Sequence, residues 1–456
     1  MRAFGVTVYR GKVSTLLSIY GLLVISTGLG AISLGGAGGG NIRLWEVSLV
    51  AFVFAMCFNS PFKRNMVLLI SPSLSLAAGY VIAVLLSGLN AIDSAMWQQR
   101  SALVLAMSLL FFVFSQRYTQ KEFGLYLKII IYSGIFFSVV GMLDVYLFFT
   151  APDIFGIIHQ FDGGAQFAQN GAGDLASYNL VARARGFFTE PNEFSQYLIL
   201  PFGFILAVAF FQHQKAGTKL LCLFGLLIVL FAQVMSQSRG GLLGFFVEIL
   251  GLLLVTKISG VKRKIRIKNY LPIVFVVVAL IAAGILYVGE NIVAIFVTVV
   301  DRVGSTGTSN DWTTDIRLMN YQHGFDSASA SLANLLVGVG AGNLDFSYVH
   351  EATTSNQFLD VLVETGIIGF IFYFMTILSL LWLSYKFMKN RLLSSNNELF
   401  VVFVGAYLSF LGMLVGGMTY PTHMLFFFWL NAGLLLAVCK FRAINTPATS
   451  SSGNSN

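Results

Sequence analysis

Seven arginines stand out because the sequence predicts them all on one side of a membrane, without a single lysine. All thirteen lysines fall in segments predicted to face the other side. Both residue types orient a membrane protein, so orientation alone does not account for this separation. Arginine presents a planar fork that can hold two phosphate oxygens at once. The sequence therefore predicts that a phosphorylated substrate is held on the arginine side. The seven residues are Arg43, Arg100, Arg183, Arg185, Arg239, Arg302 and Arg317.

The first of three polar stretches runs from Arg183 to Glu193 and leads into an apolar span. Pro191 favours an extended conformation at Glu190 and suits the first position of a helix. The free N–H groups of that helix start would lie close to the two arginines of the stretch, which outlines an anion site. A pairing of Arg185 with Glu190 that braces the loop explains the same residues equally well.

The second stretch, residues 236–241, lies at a tight turn between two predicted spans. Arg239 is costly in such a turn unless it faces a polar cavity, and the glycines that follow it leave room for one. Contact with lipid headgroups is the structural alternative.

Arg317 lies in a longer loop, beside an apolar stripe that includes Trp312 and Met319 at helical spacing. This stripe predicts a helix that could also lie at the membrane surface.

The third stretch, residues 350–360, could supply a base. His350 comes just before a predicted helix start, so it could accept a proton or orient a substrate, although a lone histidine is more often structural. The candidate bases, in order, are His350, Glu190 and Glu351. We expect three further polar residues to bind substrate: Asn192, Asn356 and His323.

The composition places these stretches in a membrane protein. The chain has 456 residues, of which 56% are hydrophobic and 11% charged, whereas a soluble domain carries roughly a quarter charged residues. Only helices or closed barrels satisfy their backbone in lipid. The apolar segments are continuous runs of about twenty residues, which favours helices over a barrel. We therefore expect an all-α polytopic membrane protein.

Twelve transmembrane spans are predicted, with both termini cytoplasmic. In this orientation 21 of the 28 lysines and arginines lie inside, as the positive-inside rule requires. Residues 1–445 would form a single integral membrane domain with two large outer loops, 151–193 and 290–360, followed by a disordered cytoplasmic tail, 446–456. The predicted spans are 13–34, 45–60, 66–89, 101–115, 127–150, 194–212, 218–236, 239–256, 271–289, 361–384, 399–416 and 423–439.

Other functions fit the sequence less well. The densest basic cluster, residues 257–268, directly follows an apolar run, which suits contact with membrane lipid and not with nucleic acid. The three cysteines have no metal-ligand spacing. The glycines at 338, 340 and 342 lack a βαβ context, so turn formation explains them better than dinucleotide binding.

Four segments, taken in this order, resemble the O-antigen polymerase and O-antigen ligase superfamily of bacterial envelope glycosyltransferases. They are RGFFTEPN from Arg185 to Asn192, SRGG from Ser238 to Gly241, Arg317 after Trp312, and GVGAG from Gly338 followed by SNQFLDVLVETG from Ser355. The likeness covers roughly residues 180–370. The Glu190-Pro191-Asn192 form is closer to polymerases. Ligase-like members carry a histidine directly before the asparagine that is Asn356 here, where this chain has Ser355.

The resemblance implies a GT-C-like glycosyltransferase that uses a polyprenyl-pyrophosphate-linked oligosaccharide and neither a metal nor another cofactor. It would act on the outer face of the bacterial cytoplasmic (inner) membrane, and a chain-length regulator protein is a possible partner. We expect four arginines to hold the pyrophosphate, in the order Arg239, Arg317, Arg185 and Arg183. Polymerisation of O-antigen, capsule or exopolysaccharide is the first hypothesis.

Two alternatives remain open from the sequence. The first is an O-antigen ligase or a protein O-oligosaccharyltransferase, which would use the same chemistry on a different acceptor. The second is a transporter of lipid-linked oligosaccharide. Twelve spans suit a transporter, but a transporter would be expected to have short loops and polar groups at the bilayer midplane.

Overall fold

The computed structural model of the protein describes residues 71–115, 120–151, 183–186, 188, 190–212, 216–259, 312–344, 354–389 and 397–445. Within these ranges the chain forms eleven α-helices and two short 3-10 helices, and it forms no strand. The 3-10 helices are Ser87–Asn90 and Thr422–Met424. The α-helices are α1 (Pro72–Leu86), α2 (Ser94–Phe114), α3 (Gln120–Thr150), α4 (Pro191–Phe211), α5 (Ala216–Met235), α6 (Arg239–Ser259), α7 (Trp312–Ser329), α8 (Leu332–Val337), α9 (Gln357–Lys389), α10 (Asn397–Gly416) and α11 (Phe426–Asn445).

The described helices fit a protein that crosses a membrane several times. Seven of them, α1, α2, α3, α4, α6, α9 and α10, are long and apolar enough to span it, and α5 and α11 are shorter apolar helices. The predicted all-α polytopic fold is thus confirmed. These nine helices correspond to nine of the twelve predicted spans. The predicted spans 13–34, 45–60 and 271–289, and the predicted tail 446–456, lie outside the described residues.

The centre of the bundle is α4, which is buried along nearly its whole length. It packs against α3, α5, α6 and α10. Helices α6 and α10 approach each other at two glycines, because a Cβ at Gly244 or at Gly412 would lie 3.1 Å from the carbonyl oxygen of the other. Such small-residue contacts let helices pack closely in a membrane. A second group of helices, α1, α2, α9 and α11, packs through buried aromatic residues that include Tyr80, Tyr373 and Trp429.

Two of the seven arginines and three of the lysines lie at opposite ends of the described helices that carry them. Helices α2, α6 and α9 all begin at one end of the bundle, which we call the arginine end, and Arg100 and Arg239 lie near the starts of α2 and α6. Lys257 lies in the last turn of α6, and Lys386 and Lys389 lie in the last turn of α9. The charge separation predicted along the chain is therefore also a separation in space.

Helices α7 and α8 lie across the arginine end of α9. Their contact with α9 is a small apolar core that includes Ala328, Val339, Leu359 and Val363. Helix α9 itself is broken at Gly366, where φ is 65° and ψ is −174°. The predicted span 361–384 is thus longer than expected and kinked near its start.

Candidate active site

The first polar stretch is tied to the turn between α5 and α6. Ala184 N donates to the Met235 carbonyl at 2.9 Å, and Arg183 Nε donates to the Ser236 carbonyl at 3.0 Å. Arg183 Nη2 also donates to Asn192 Oδ1 at 3.1 Å, in the first turn of α4. The structure therefore brings the first two predicted stretches together. Part of the Arg183 fork is used to hold them.

The rest of the first stretch follows the predicted local geometry. Glu190 is exposed and extended, with φ −137° and ψ 150°, and Pro191 starts α4. Arg185 is half-buried, and its backbone N–H donates to Asp144 Oδ2 at 3.4 Å. Phe188 anchors the segment because its ring is buried against neighbouring aromatic rings of α3 and α4. Glu190 and Arg185 thus lie on a segment held from both ends.

A short connection after α10, residues 416–420, is the point where the site elements meet, and we call it the central turn. Three of its carbonyls accept hydrogen bonds from three helices. Gln196 Nε2 of α4 donates to Gly416 at 3.4 Å, Gln357 N of α9 donates to Gly417 at 2.8 Å, and Tyr321 Oη of α7 donates to Met418 at 3.3 Å. The central turn therefore fixes α4, α7 and α9 relative to one another.

Arg239 and Arg317 lie on two elements that contact the central turn. Arg239 directly precedes Gly240, and a Cβ at Gly240 would collide with Thr419 Oγ1, so the start of α6 lies directly against the turn. Arg317 lies one helical turn before Tyr321, and residues four apart share a helix face. Both arginines are half-buried. The two leading candidates for pyrophosphate binding are thus carried by elements that contact the same five residues.

Two predicted site residues of α7, Arg317 and His323, lie on different faces of the helix. Asn320, Gly324 and Ala328 are buried and, like Tyr321, lie on the side of α7 that carries Arg317. His323 is exposed and lies on a different face. The structure does not bring His323 together with the arginines.

The third polar stretch forms the capped start of α9. Asn356 Oδ1 accepts hydrogen bonds from the N–H groups of Phe358 at 3.0 Å and Leu359 at 3.4 Å, which is the geometry of a helix N-cap. Thr354 Oγ1 donates to Asp360 Oδ1 at 2.7 Å. Part of the Asn356 side chain is therefore used to start the helix. His350 and Glu351 lie outside the described residues.

The electrostatics around the central turn favour an anion. Helices α4, α6 and α9 all begin beside it, and the aligned peptide dipoles of a helix give its start a partial positive charge. His423 lies just beyond the turn, but it is buried. Burial and the nearby Arg100 lower the pKa of His423 to about 3. The ring is neutral at physiological pH, and such a weak base is poorly matched to proton abstraction.

Among the described residues no three His, Cys, Asp or Glu side chains could together hold a metal ion.

Two features of this end of the bundle were not predicted from the sequence. The central turn received no role, although the consecutive Gly416 and Gly417 and the nearby Pro421 mark a turn. The second feature is a buried ion pair between Arg100 Nε and Glu364 Oε1, at 3.7 Å. Arg100 was counted among the seven arginines, but nothing in its neighbourhood in the sequence indicates a partner more than 260 residues away.

Comparison with known families agrees with this arrangement. Residues 224–374 match the family model described as O-antigen ligase. This part of the chain is similar to the O-antigen ligase family, which supports the O-antigen ligase and polymerase superfamily. The resemblance predicted from the motifs is therefore confirmed. The matched O-antigen ligase region contains Arg239, Arg317 and the start of α9, whereas Arg183, Arg185 and the central turn lie outside it. No curated protein matches the chain.

The match supports an O-antigen ligase-like or polymerase-like function without giving the exact reaction. Members of the family are membrane glycosyltransferase-like enzymes that act on lipid-linked oligosaccharides. The match is consistent with an O-antigen ligase and with a polymerase, and it does not distinguish between them.

Proposed function

We propose that the protein is a polysaccharide polymerase that transfers glycan from a polyprenyl-pyrophosphate donor to the end of an acceptor glycan. The observation that carries the proposal is the placement of Arg239 and Arg317 on two elements that contact the central turn. Three helix starts beside the same turn add to the positive potential. Together these groups suit a ligand with two adjacent phosphates better than one with a single carboxylate.

The arginines would act on the leaving group. The acceptor hydroxyl attacks the anomeric carbon of the donor sugar, and the bond between that carbon and the pyrophosphate oxygen breaks. Negative charge grows on the departing polyprenyl pyrophosphate, and a fixed guanidinium stabilises it more in the transition state than in the ground state. Each charge-assisted hydrogen bond contributes about 1.5–3 kcal/mol. In this proposal Arg239 and Arg317 supply the positive charge without a metal ion.

A base must also take the proton of the acceptor hydroxyl. We propose Glu190 for this role, and its position at the exposed start of α4, next to the segment that carries Arg183 and Arg185, supports the proposal. His350 and Glu351 remain the other proposed bases. Attack opposite the leaving pyrophosphate inverts the configuration of the anomeric carbon. The pH dependence of kcat/KM in Glu190→Gln, His350→Gln and Glu351→Gln variants would identify the base, because only its loss removes the ionisation that limits the rate.

We propose further that the arginine end faces away from the cytosol in a bacterial cytoplasmic membrane. The separation of arginines from lysines supports this orientation, since lysines concentrate on the cytoplasmic side. Single cysteines placed at the exposed His323 and at Lys257 test it with a membrane-impermeant maleimide in intact cells. Labelling at position 323 alone is expected, whereas labelling at position 257 alone would exclude an outer active site.

The glycan that accumulates in a deletion strain tests the reaction. A polymerase predicts single repeat units attached to the polyprenyl lipid on the outer leaflet. Full-length polymer left on lipid would instead indicate a ligase, the second candidate, which the match to the O-antigen ligase family supports. Single units trapped on the inner leaflet would indicate a transporter.

A further inference from the structure

The backbone at the break in α9 is hydrogen-bonded to a turn that precedes α9 in the chain. The backbone at Gly366 interrupts the helical hydrogen-bond ladder. Just before the break, the carbonyl of Val363 accepts from Val339 N at 3.0 Å, and that of Glu364 accepts from Gly340 N at 3.2 Å. These donors belong to residues 338–342, which we call the glycine turn. The glycine turn therefore supplies hydrogen bonds at the place where α9 is interrupted.

Glycine is required on both sides of this contact. Gly338 has φ 90° and ψ 173°, close to the backbone conformation of Gly366, and this region is accessible almost only to glycine. A Cβ at Gly338 would collide with the Glu364 carbonyl, and a Cβ at Gly366 would collide with the Leu336 carbonyl. The two backbones are thus in direct contact, and their relative position leaves little freedom.

Polar side chains from the end of α1 hold the glycine turn from the other side. Asn90 Nδ2 donates to the Gly338 carbonyl at 2.9 Å. Ala341 N donates to Ser87 Oγ at 3.1 Å. The glycine turn is therefore bound between α9 and the connection from α1 to α2.

One carboxylate joins these contacts to α2. Glu364 Oε1 accepts from Gly342 N at 3.1 Å, and the same oxygen lies 3.7 Å from Arg100 Nε. The Glu364 side chain is only 4% exposed and that of Arg100 is 21% exposed. A buried ion pair adds little net stability, because desolvation of the two charges offsets their attraction. Its charges and directional hydrogen bond are better suited to fixing one geometry.

The glycine turn in turn supports the helix that carries Arg317. Val339 of the turn packs with Ala328 of α7 in the small core on α9. A Cβ at Gly324 would lie 2.9 Å from Thr354 Cγ2, so α7 also lies directly on the start of α9. Gly324 and Arg317 are seven residues apart and share a face of α7. A shift of the glycine turn would therefore move the helix that presents Arg317 to the central turn.

We propose that Arg100 and Glu364 are positioning residues for glycosyl transfer. Their ion pair fixes the glycine turn on the kink of α9, and the turn fixes α7 so that Arg317 meets the pyrophosphate. This proposal rests on the proposed function of Arg317. Neither residue of the pair needs to touch the substrate.

A double-mutant experiment tests the positioning role. Glu364→Gln removes the charge but keeps an oxygen that can accept from Gly342 N–H. In membrane vesicles supplied with lipid-linked repeat units extracted from a deletion strain, we expect kcat to fall roughly 10- to 100-fold, as small displacements of catalytic groups do. The KM for the repeat unit should stay within about twofold, because an interaction made only in the transition state is lost. Asp326→Asn, an exposed carboxylate on α7, is the matched control and should keep wild-type kcat.

The effect should disappear when Arg317 is already impaired. In an Arg317→Lys background, Glu364→Gln should reduce kcat by less than about twofold, since residues that act as a unit are not additive. Arg100→Lys should retain more activity than Arg100→Gln, because it keeps the positive charge. If kcat of the double variant falls by the product of the two single-variant losses, the proposal is overturned, because Glu364 would then act independently of Arg317.

Hydrogen exchange gives a readout that does not depend on the reaction. In Glu364→Gln, the amides of residues 338–342 should exchange faster than in the wild type, while those of α4 and α10 should not change. Unchanged exchange in the glycine turn would overturn the positioning role whatever the kinetics show. Normal polymer from Arg317→Ala together with faster exchange would overturn the proposed function and show that the ion pair serves the fold alone.

Discussion

Two regions at the arginine end use the same residue type in different ways. At the glycine turn, Arg100 pairs with a buried carboxylate that also accepts a backbone N–H. At the central turn, Arg239 and Arg317 are half-buried beside three helix starts. The first arginine has its charge neutralised within the fold, whereas the setting of the other two favours an anion. All three arginines are half-buried, so the proposed difference in role rests on the surroundings of each guanidinium and not on its burial.

Arg183 is intermediate between these two cases. Its Nε and Nη2 atoms hold the Ser236 carbonyl and Asn192, so much of its fork binds protein. We therefore expect Arg183 to contribute less to pyrophosphate binding than Arg239 and Arg317 do. This expected order is tested by replacing each arginine in turn and measuring the loss of activity.

The largest effect is expected at the central turn. Arg317→Ala or Arg239→Ala should reduce polymer formation by roughly 100- to 10,000-fold, because two charge-assisted bonds to the leaving group are lost at about 1.5–3 kcal/mol each. Replacement by lysine should restore little activity, since lysine lacks the bidentate fork. Polymer length on gels and initial rates in membrane vesicles measure the effect, with protein level checked by immunoblot.

The control for this prediction lies at the other end of the bundle. Lys386→Ala removes a positive charge from the last turn of α9, far from the central turn, and should leave the rate unchanged. Normal polymer in both arginine variants would show that neither holds the pyrophosphate.

The next largest effect concerns the stability of the glycine turn. Gly338→Ala or Gly366→Ala should destabilise the fold by about 2–3 kcal/mol or more, since each forces a side chain into a glycine-only conformation and against backbone. We expect less folded protein in the membrane and a lower Tm in detergent. Gly251→Ala is the matched control, because its added methyl would meet only leucine side chains. Equal Tm values for Gly338→Ala and Gly251→Ala would show that the contact with α9 is dispensable.

A smaller effect is expected at Arg183. Arg183→Lys should keep the charge but lose one of the two hydrogen bonds that join the α5–α6 turn to α4, a loss of about 1–2 kcal/mol. Activity should fall about threefold to tenfold, and Asn192→Ala should produce a similar fall without an added loss in the double variant. Independent losses from the two variants would contradict the shared structural role.

The smallest effect is expected at His423. Its pKa of about 3 keeps the ring neutral from pH 5 to 8, so its protonation does not change over the range in which the enzyme would work. His423→Gln should therefore leave the shape of the pH–rate profile unchanged. A shift of the acid limb of kcat/KM in this variant would make His423 a catalytic group, which its burial argues against.

The sequence predicted the parts of this molecule that depend on local patterns. Helix α4 begins at Pro191 because proline suits that position, and the α5–α6 turn falls at Ser236–Arg239 because small and polar residues interrupt two apolar runs. These features need only neighbours along the chain or a single residue property.

The features that depend on distant contacts were not predicted. Nothing near Glu364 in the sequence shows that it meets Arg100, and nothing near Gly416 shows that four site elements meet at the turn it begins. The kink at Gly366 was missed because a single glycine within a long, largely apolar segment does not by itself predict a break in a helix. Sequence patterns predict which residues could bind an anion, but the fold decides which of them are already used.

The central claim is tested most directly by the binding of a polyprenyl pyrophosphate to the purified protein in lipid nanodiscs. The wild type, Arg317→Ala, Arg239→Ala and the Lys386→Ala control should be titrated with the pyrophosphate and with the corresponding monophosphate. We predict that each arginine variant binds the pyrophosphate at least about tenfold more weakly, as expected for the loss of a charge-assisted contact. The control should bind like the wild type, and the monophosphate should be less affected. Equal affinity of the wild type and both arginine variants for the pyrophosphate would contradict the account.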